Sequence, residues 1–167
     1  ETLEGLDLSH LGCLLTGSEP VNANTVERFM ATFGPYGFRR DAVLPAYGLA
    51  EATLLATGTL RDKVGPTIRA FDGKALEGGR PTAAQGNAPA RRLVGNGAPE
   101  TRVRIAEPET GRPLGDGEIG EIWLTGESIA KGYFGRPELS SHAFGARLLG
   151  EPDSGPFYRT GDLGFVE

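Results

Sequence analysis

The sequence predicts an α/β protein in two parts: part of a parallel α/β layer over about residues 1–58, and a small β-barrel-like subdomain over about residues 92–167. A loop-rich insertion over 59–91 separates them. Strand-like and helix-like patterns alternate through the first part, as in parallel strands joined by crossover helices. In the last part apolar and polar residues alternate with period two between turn signals. The 26 glycines in 167 residues are about twice the usual share, and with 12 prolines they favour short strands and many turns over long helices.

Taken in order, Leu11–Thr16 is a short apolar run bounded by polar residues, which reads as a buried strand, and Gly17–Pro20 is a turn. From Asn24, Val26, Phe29, Met30 and Phe33 recur at helical spacing, with an asparagine cap before them and Gly34-Pro35 after, so an amphipathic helix is expected. Val43–Tyr47 reads as a strand leading into Gly48, and Glu51–Leu55 as a helical turn. The segment 59–91 shows little periodicity and many Gly and Pro, with one short helix expected around Gly73–Glu77. Thr101–Ala106 and Gly120–Gly126 alternate as strands around a turn at Pro108–Gly111, and Glu138–Phe144 reads as a short helix after Arg136-Pro137. No internal repeat is evident. The chain opens at Glu1-Thr2-Leu3 and ends at Gly164–Glu167 within a strand-like pattern, as an excised piece would.

Charge and composition exclude several classes of function. A net charge of −5, with no basic cluster beyond Arg39-Arg40 and Arg91-Arg92, argues against a nucleic-acid partner held through its phosphates. No apolar run approaches the roughly 20 residues of a membrane span. The single Cys13 forbids an internal disulfide and, inside an apolar run, is expected to be a buried structural thiol. His10 and His142 have neither metal-ligand spacing nor a cysteine nearby, so no zinc site is expected. A cytoplasmic protein fits these features.

Two blocks carry chemistry. Ala46–Thr53 sets an aromatic ring, a glycine and a carboxylate within five residues, Tyr47, Gly48 and Glu51. About a hundred residues later, Phe157–Gly164 sets Asp162 on a glycine-flanked turn. Such residues suit gripping a purine, holding Mg²⁺ beside a phosphate and accepting hydrogen bonds from both ribose hydroxyls. Each also has a plain structural reading. Tyr47 alone reads as a core aromatic, Glu51 as a carboxylate at a helix start, and Asp162 as a turn residue bonding its own backbone. Their joint occurrence favours the functional reading of Glu51 and Asp162, and less strongly that of Tyr47. Thr53 stays open between the two, Trp123 reads as core, and Arg159 as a structural charge partner.

With Leu15–Val21, Gly120–Gly126, Gly132–Glu138 and Tyr158–Asp162 in order around these blocks, the chain resembles the adenylate-forming superfamily of acyl-CoA synthetases, peptide-synthetase adenylation domains and luciferases. Ala50 before the motif glutamate, followed by Ala52 and Thr53, is similar to the fatty acyl-AMP ligase version. The resemblance implies ATP and Mg²⁺, with Glu51 as catalytic residue and Mg²⁺ ligand. It implies a nucleotide-binding set of Ser18, Glu19, Pro20, Tyr47, Gly48, Ala50 and Asp162. Tyr47 would stack on adenine, Asp162 would hold the ribose, Ser18–Pro20 would line the adenine edge, and Gly48 would approach the substrate carboxylate and α-phosphate. The partners implied are a fatty acid, an acyl carrier protein bearing phosphopantetheine, and the rest of the adenylating enzyme. In such ligases an insertion at the place of 59–91 is thought to hamper transfer to CoA. The family's phosphate loop, hinge and C-terminal catalytic lysine do not occur in this sequence, so the chain is expected to be the second half of a large N-terminal domain, inactive alone. The alternatives are a fragment of an acyl-CoA synthetase or amino-acid adenylation domain, and a non-catalytic module that docks a carrier protein.

Overall fold

The computed structural model describes residues 3–58, 65–87 and 89–167. Strand β1 (Leu14–Thr16), helix α1 (Ala23–Phe33) and strand β2 (Val43–Tyr47) form a parallel βαβ unit, with Leu14 opposite Val43 and Thr16 opposite Pro45. The α1 cap is Asn22, not Asn24: its side chain accepts from the Thr25 N–H at 3.1 Å, so the helix starts two residues earlier than the apolar spacing indicates. Val26, Phe29, Met30 and Phe33 pack with Phe38, Ala42 and Val43 under the sheet. Pro45 has no N–H to donate, and it falls where the pairing with β1 ends. One residue on, β3 (Thr57–Gly58) takes up antiparallel pairing with Ala46 and Tyr47.

Strand β6 (Ala98–Pro99) closes this sheet against β3, giving the order β1-β2-β3-β6. Between β3 and β6, strands β4 (Ile68–Asp72) and β5 (Ala90–Val94) form an antiparallel ribbon around helix α2 (Gly73–Glu77). The helix stands where the sequence predicts it, capped by Asp72. The strands correct the loop-rich reading of this segment: they pair with each other although more than fifteen residues separate them, a distance that short-range periodicity cannot register. Residues 59–64 and 88 of the 59–91 segment lie outside the described residues.

The last part is a three-stranded antiparallel sheet, β7 (Arg102–Ala106), β8 (Gly120–Thr125) and β9 (Tyr158–Gly164), flanked by α3 (Pro137–Phe144). Strand β9 ends at Gly164, so Phe165–Glu167 follow a strand rather than continue one. Leu124 of β8 is fully buried, and burial of a side chain that size is worth roughly 2 kcal/mol. It lies in one cluster with Ala52, Ala56, Ala143 and Tyr158, against which Tyr47, Leu49, Tyr133 and Phe144 pack. This cluster joins the end of the βαβ unit to the β7–β9 sheet.

Cys13 is exposed, which corrects the expectation of a buried thiol. It precedes an edge strand whose Leu14 faces the α1 cluster, so by the two-residue alternation Cys13 and Leu15 face away, and Leu15 is 55% exposed. Trp123 is buried as expected, and both histidines lie at the surface. Among the described residues no helix is long and apolar enough to cross a membrane.

Candidate functional site

The site begins where β2 ends. Tyr47 is the last strand residue; Gly48 follows, then a single 3₁₀ turn over Ala50–Ala52 that holds Glu51. The chain folds back so tightly that a Cβ on Gly48 would stand 1.6 Å from the Leu54 carbonyl oxygen, so only glycine fits. Thr53 and Leu54 both have positive φ, 54° and 87°, a conformation costing such residues about 1–3 kcal/mol each. Long-range bonds hold it: the Thr53 hydroxyl donates to the Ser128 carbonyl at 2.6 Å, and the Ala130 N–H donates to the Glu51 carbonyl at 2.7 Å.

The Glu51 carboxylate is half-buried. The Tyr133 hydroxyl donates to its Oε1 at 2.7 Å and lies 3.3 Å from the Tyr158 hydroxyl. The Tyr133 bond holds the Glu51 carboxyl below the usual carboxylate range, partly opposed by burial. Burial pushes the Tyr158 phenol up, reinforced by Tyr133 and Glu51, and burial likewise raises Tyr47, reinforced by Asp162 and Glu51. Both phenols therefore stay protonated donors at neutral pH.

Asp162 reaches the same place from the opposite half of the molecule. The Tyr47 hydroxyl donates to Asp162 Oδ2 at 2.7 Å, across 115 positions of sequence. Asp162 stands not on a turn but inside β9, at a bulge: Glu121 and Trp123 of β8 oppose Leu163 and Arg159, so extra β9 residues arch out around Gly161, whose φ is 76°. The arch is locked from below by Glu121, 3% exposed, which accepts from the Gly161 N–H at 3.0 Å and pairs with Arg159 at 2.8 Å. Arg159 also donates to the Pro108 carbonyl and lies over the Trp123 ring, so the structure bears out its reading as a charge partner.

Ser18, Glu19 and Pro20 are exposed on the loop after β1. That loop leaves the same carboxyl edge as the loop after β2, the edge where open α/β sheets bind ligands. Gly17 presses on β2 there: a Cβ would lie 2.6 Å from the Ala46 carbonyl oxygen. Ala50 is exposed at the start of the 3₁₀ turn. Tyr47, Glu51 and Asp162 thus converge, with the 17–20 loop beside them and the carboxylates on an open face. Tyr133, Tyr158 and Glu121 were not among the expected site residues, although they lie in the motifs Gly132–Glu138, Tyr158–Asp162 and Gly120–Gly126. Their signal was an aromatic or acid at a fixed motif position, but the partners lie tens of residues away.

The sequence model of the AMP-binding enzyme family matches residues 2–134, most of the chain. The chain belongs to the AMP-binding enzyme family. Among curated members it is 42% identical, over its whole length, to the medium-chain-fatty-acid–[acyl-carrier-protein] ligase JamA of Moorena producens. It is 41% identical over 99% of its length to the long-chain-fatty-acid–AMP ligase FadD26 of Mycobacterium marinum. A crystal structure of the fatty acyl-adenylate ligase from Legionella pneumophila in complex with acyl adenylate and pyrophosphate superposes with a TM-score of 0.91, at 39% identity over 99% of the chain. The mixed α/β fold is that of this family. The chain spans about 29% of the length of each of these relatives.

Proposed function

We propose that this member of the AMP-binding family is part of a cytoplasmic enzyme that activates a fatty acid as its acyl-adenylate with ATP and Mg²⁺, and then passes the acyl group to phosphopantetheine on an acyl carrier protein. The observation that carries the reading is the meeting of Tyr47, Glu51 and Asp162, from two halves of the chain, on one open edge. The names of the relatives support the substrate class.

The reaction is attack of the fatty-acid carboxylate on the α-phosphorus, with pyrophosphate leaving. It needs alignment and charge neutralisation more than a protein nucleophile. Tyr47 offers a ring face on which the adenine would stack. Asp162 gives one oxygen to Tyr47 and keeps acceptor capacity for ribose hydroxyls. Gly48 and Ala50 let backbone approach the carboxylate and α-phosphate, and Ser18, Glu19 and Pro20 border the base. Among the described residues no group of three His, Cys, Asp or Glu could hold a metal unaided. This donor set fits Mg²⁺, which takes one or two carboxylates and completes its shell with water and substrate phosphates. Glu51 would hold it, and when bound it would neutralise charge on the phosphates.

The test uses the full-length protein that carries this chain, with ATP, Mg²⁺, a medium-chain fatty acid and either CoA or a phosphopantetheinylated carrier, products being followed by mass spectrometry. Acyl-adenylate and acyl-carrier without acyl-CoA are expected. Glu51→Ala should lower adenylate formation by about 10²–10³-fold, the usual loss when a preorganised electrostatic group at the reacting centre is removed. Efficient acyl-CoA formation would make the protein an acyl-CoA synthetase. Unchanged adenylation in Glu51→Ala would overturn the site.

A further inference from the structure

The segment between β8 and α3 grips the Glu51 turn at three separate points. Its Ala130 N–H donates to the Glu51 carbonyl, its Ser128 carbonyl accepts from Thr53, and its Tyr133 hydroxyl donates to the Glu51 carboxylate at 2.7 Å. Tyr133 is itself fixed. Its N–H donates to the Ser140 Oγ at 2.8 Å, that hydroxyl donates to the Arg136 carbonyl at 2.7 Å, and the ring meets Phe144 edge-on with centroids 5.2 Å apart. Helix α3, through Ser140 and Phe144, therefore aims the phenol, and the phenol aims the carboxylate.

Proton counting gives this contact a direction. A phenol has one proton, and Tyr133 spends it on Glu51. In the 3.3 Å contact between the two phenols Tyr158 must then be the donor. The result is a chain from Tyr158 through Tyr133 to Glu51, in which each bond polarises the next. It leaves Glu51 with one oxygen tied and acceptor capacity remaining. Outer partners of this kind orient a ligating carboxylate, and their loss typically weakens metal affinity or activity 10–100-fold.

From this geometry we infer that Tyr133 is a positioning residue, which holds the Glu51 carboxylate in the one orientation that engages a divalent cation and its nucleotide phosphates, with Tyr158 as the donor behind it. The inference rests on the reading of Glu51 given above, and the two can fail separately. In the full-length protein Tyr133→Phe removes one oxygen and leaves the ring on Phe144. The concentration of Mg²⁺, and of Mn²⁺ in its place, needed for half-maximal adenylate formation should rise about tenfold. The KM for fatty acid and the melting temperature should not move, whereas a merely structural role would move the melting temperature and leave the metal requirement alone. An unchanged metal requirement in Tyr133→Phe, with Glu51→Gln inactive, overturns the positioning role and spares the site. Full activity in Glu51→Gln overturns both. Should Tyr133→Phe fail to fold, Tyr158→Phe becomes the test: about a threefold rise in the same requirement supports the chain, and no rise overturns it.

Discussion

Glu51 and Asp162 are two carboxylates on one edge of the molecule, held by opposite means. Glu51 sits on a strained turn and is gripped directly, its carboxylate by the Tyr133 hydroxyl and its backbone by Ala130. Asp162 is exposed, and its position is set through the main chain by a bulge whose arch rests on the buried Glu121 and its half-buried partner Arg159. The first support is a polar contact at the rim, and its loss should change chemistry more than folding. The second is an ion pair in the fold itself, and its loss should change folding first.

The largest expected effect is therefore on stability. Glu121→Gln takes the counter-charge from the Arg159 guanidinium, which keeps its bond to the Pro108 carbonyl and its seat over Trp123, and loss of such a charge-assisted bond at a buried carboxylate should cost about 2 kcal/mol. The melting temperature of the full-length protein should fall accordingly. Burial alone would raise the Glu121 carboxyl, but Arg159, Trp123 and the Gly161 N–H together lower it below its ordinary value of 4.5. A carboxylate lowered in the folded state stabilises fully above that ordinary value, and the stabilisation is lost as pH falls through the lower, folded value. The gap between wild type and Glu121→Gln should thus be widest at neutral pH and close in acid. A gap constant from pH 7 to 3 would refute the ion-pair account of the bulge.

A smaller effect is expected where the two supports touch. Tyr47→Phe removes the hydroxyl that joins β2 to Asp162 and should cost about 1 kcal/mol, or roughly fivefold in affinity for ATP, with little change in melting temperature. A loss confined to melting temperature would return Tyr47 to its reading as a core aromatic.

The smallest effect on adenylation should come from removing the ribbon. Gly58 of β3 pairs with Ala98 of β6, so the chain leaves and re-enters the sheet at neighbouring points. Replacing residues 59–97 by a two-residue Asn-Gly turn should preserve that hairpin and leave both carboxylate supports intact. Adenylate formation should then change by less than about twofold, while transfer to CoA rises if the ribbon acts as a brake. A large loss of adenylation would tie the ribbon to the site.

Much of the local architecture could be read from the sequence. Val43–Tyr47, Gly73–Glu77, Gly120–Thr125 and Pro137–Phe144 stand within a residue of where spacing, capping and alternation put them. Such signals reach only a few residues along the chain, which is also the reach of helix and strand periodicity. The sequence also placed Tyr47 at the carboxyl end of a strand and Glu51 just beyond it, where the structure has them.

What tertiary structure alone decided is who meets whom. Tyr47 bonds Asp162 across 115 positions, and Tyr133 bonds Glu51 across 82. The Asp162 turn proved to be a bulge over Glu121, the 59–91 segment contributes to a ribbon, and Cys13 faces outward on an edge strand. The cost of closing a loop grows only slowly with its length, so separation along the chain says almost nothing about partnership. Partners are chosen by the packing of the whole, here by the apolar cluster that presses the end of β2 against the β7–β9 sheet.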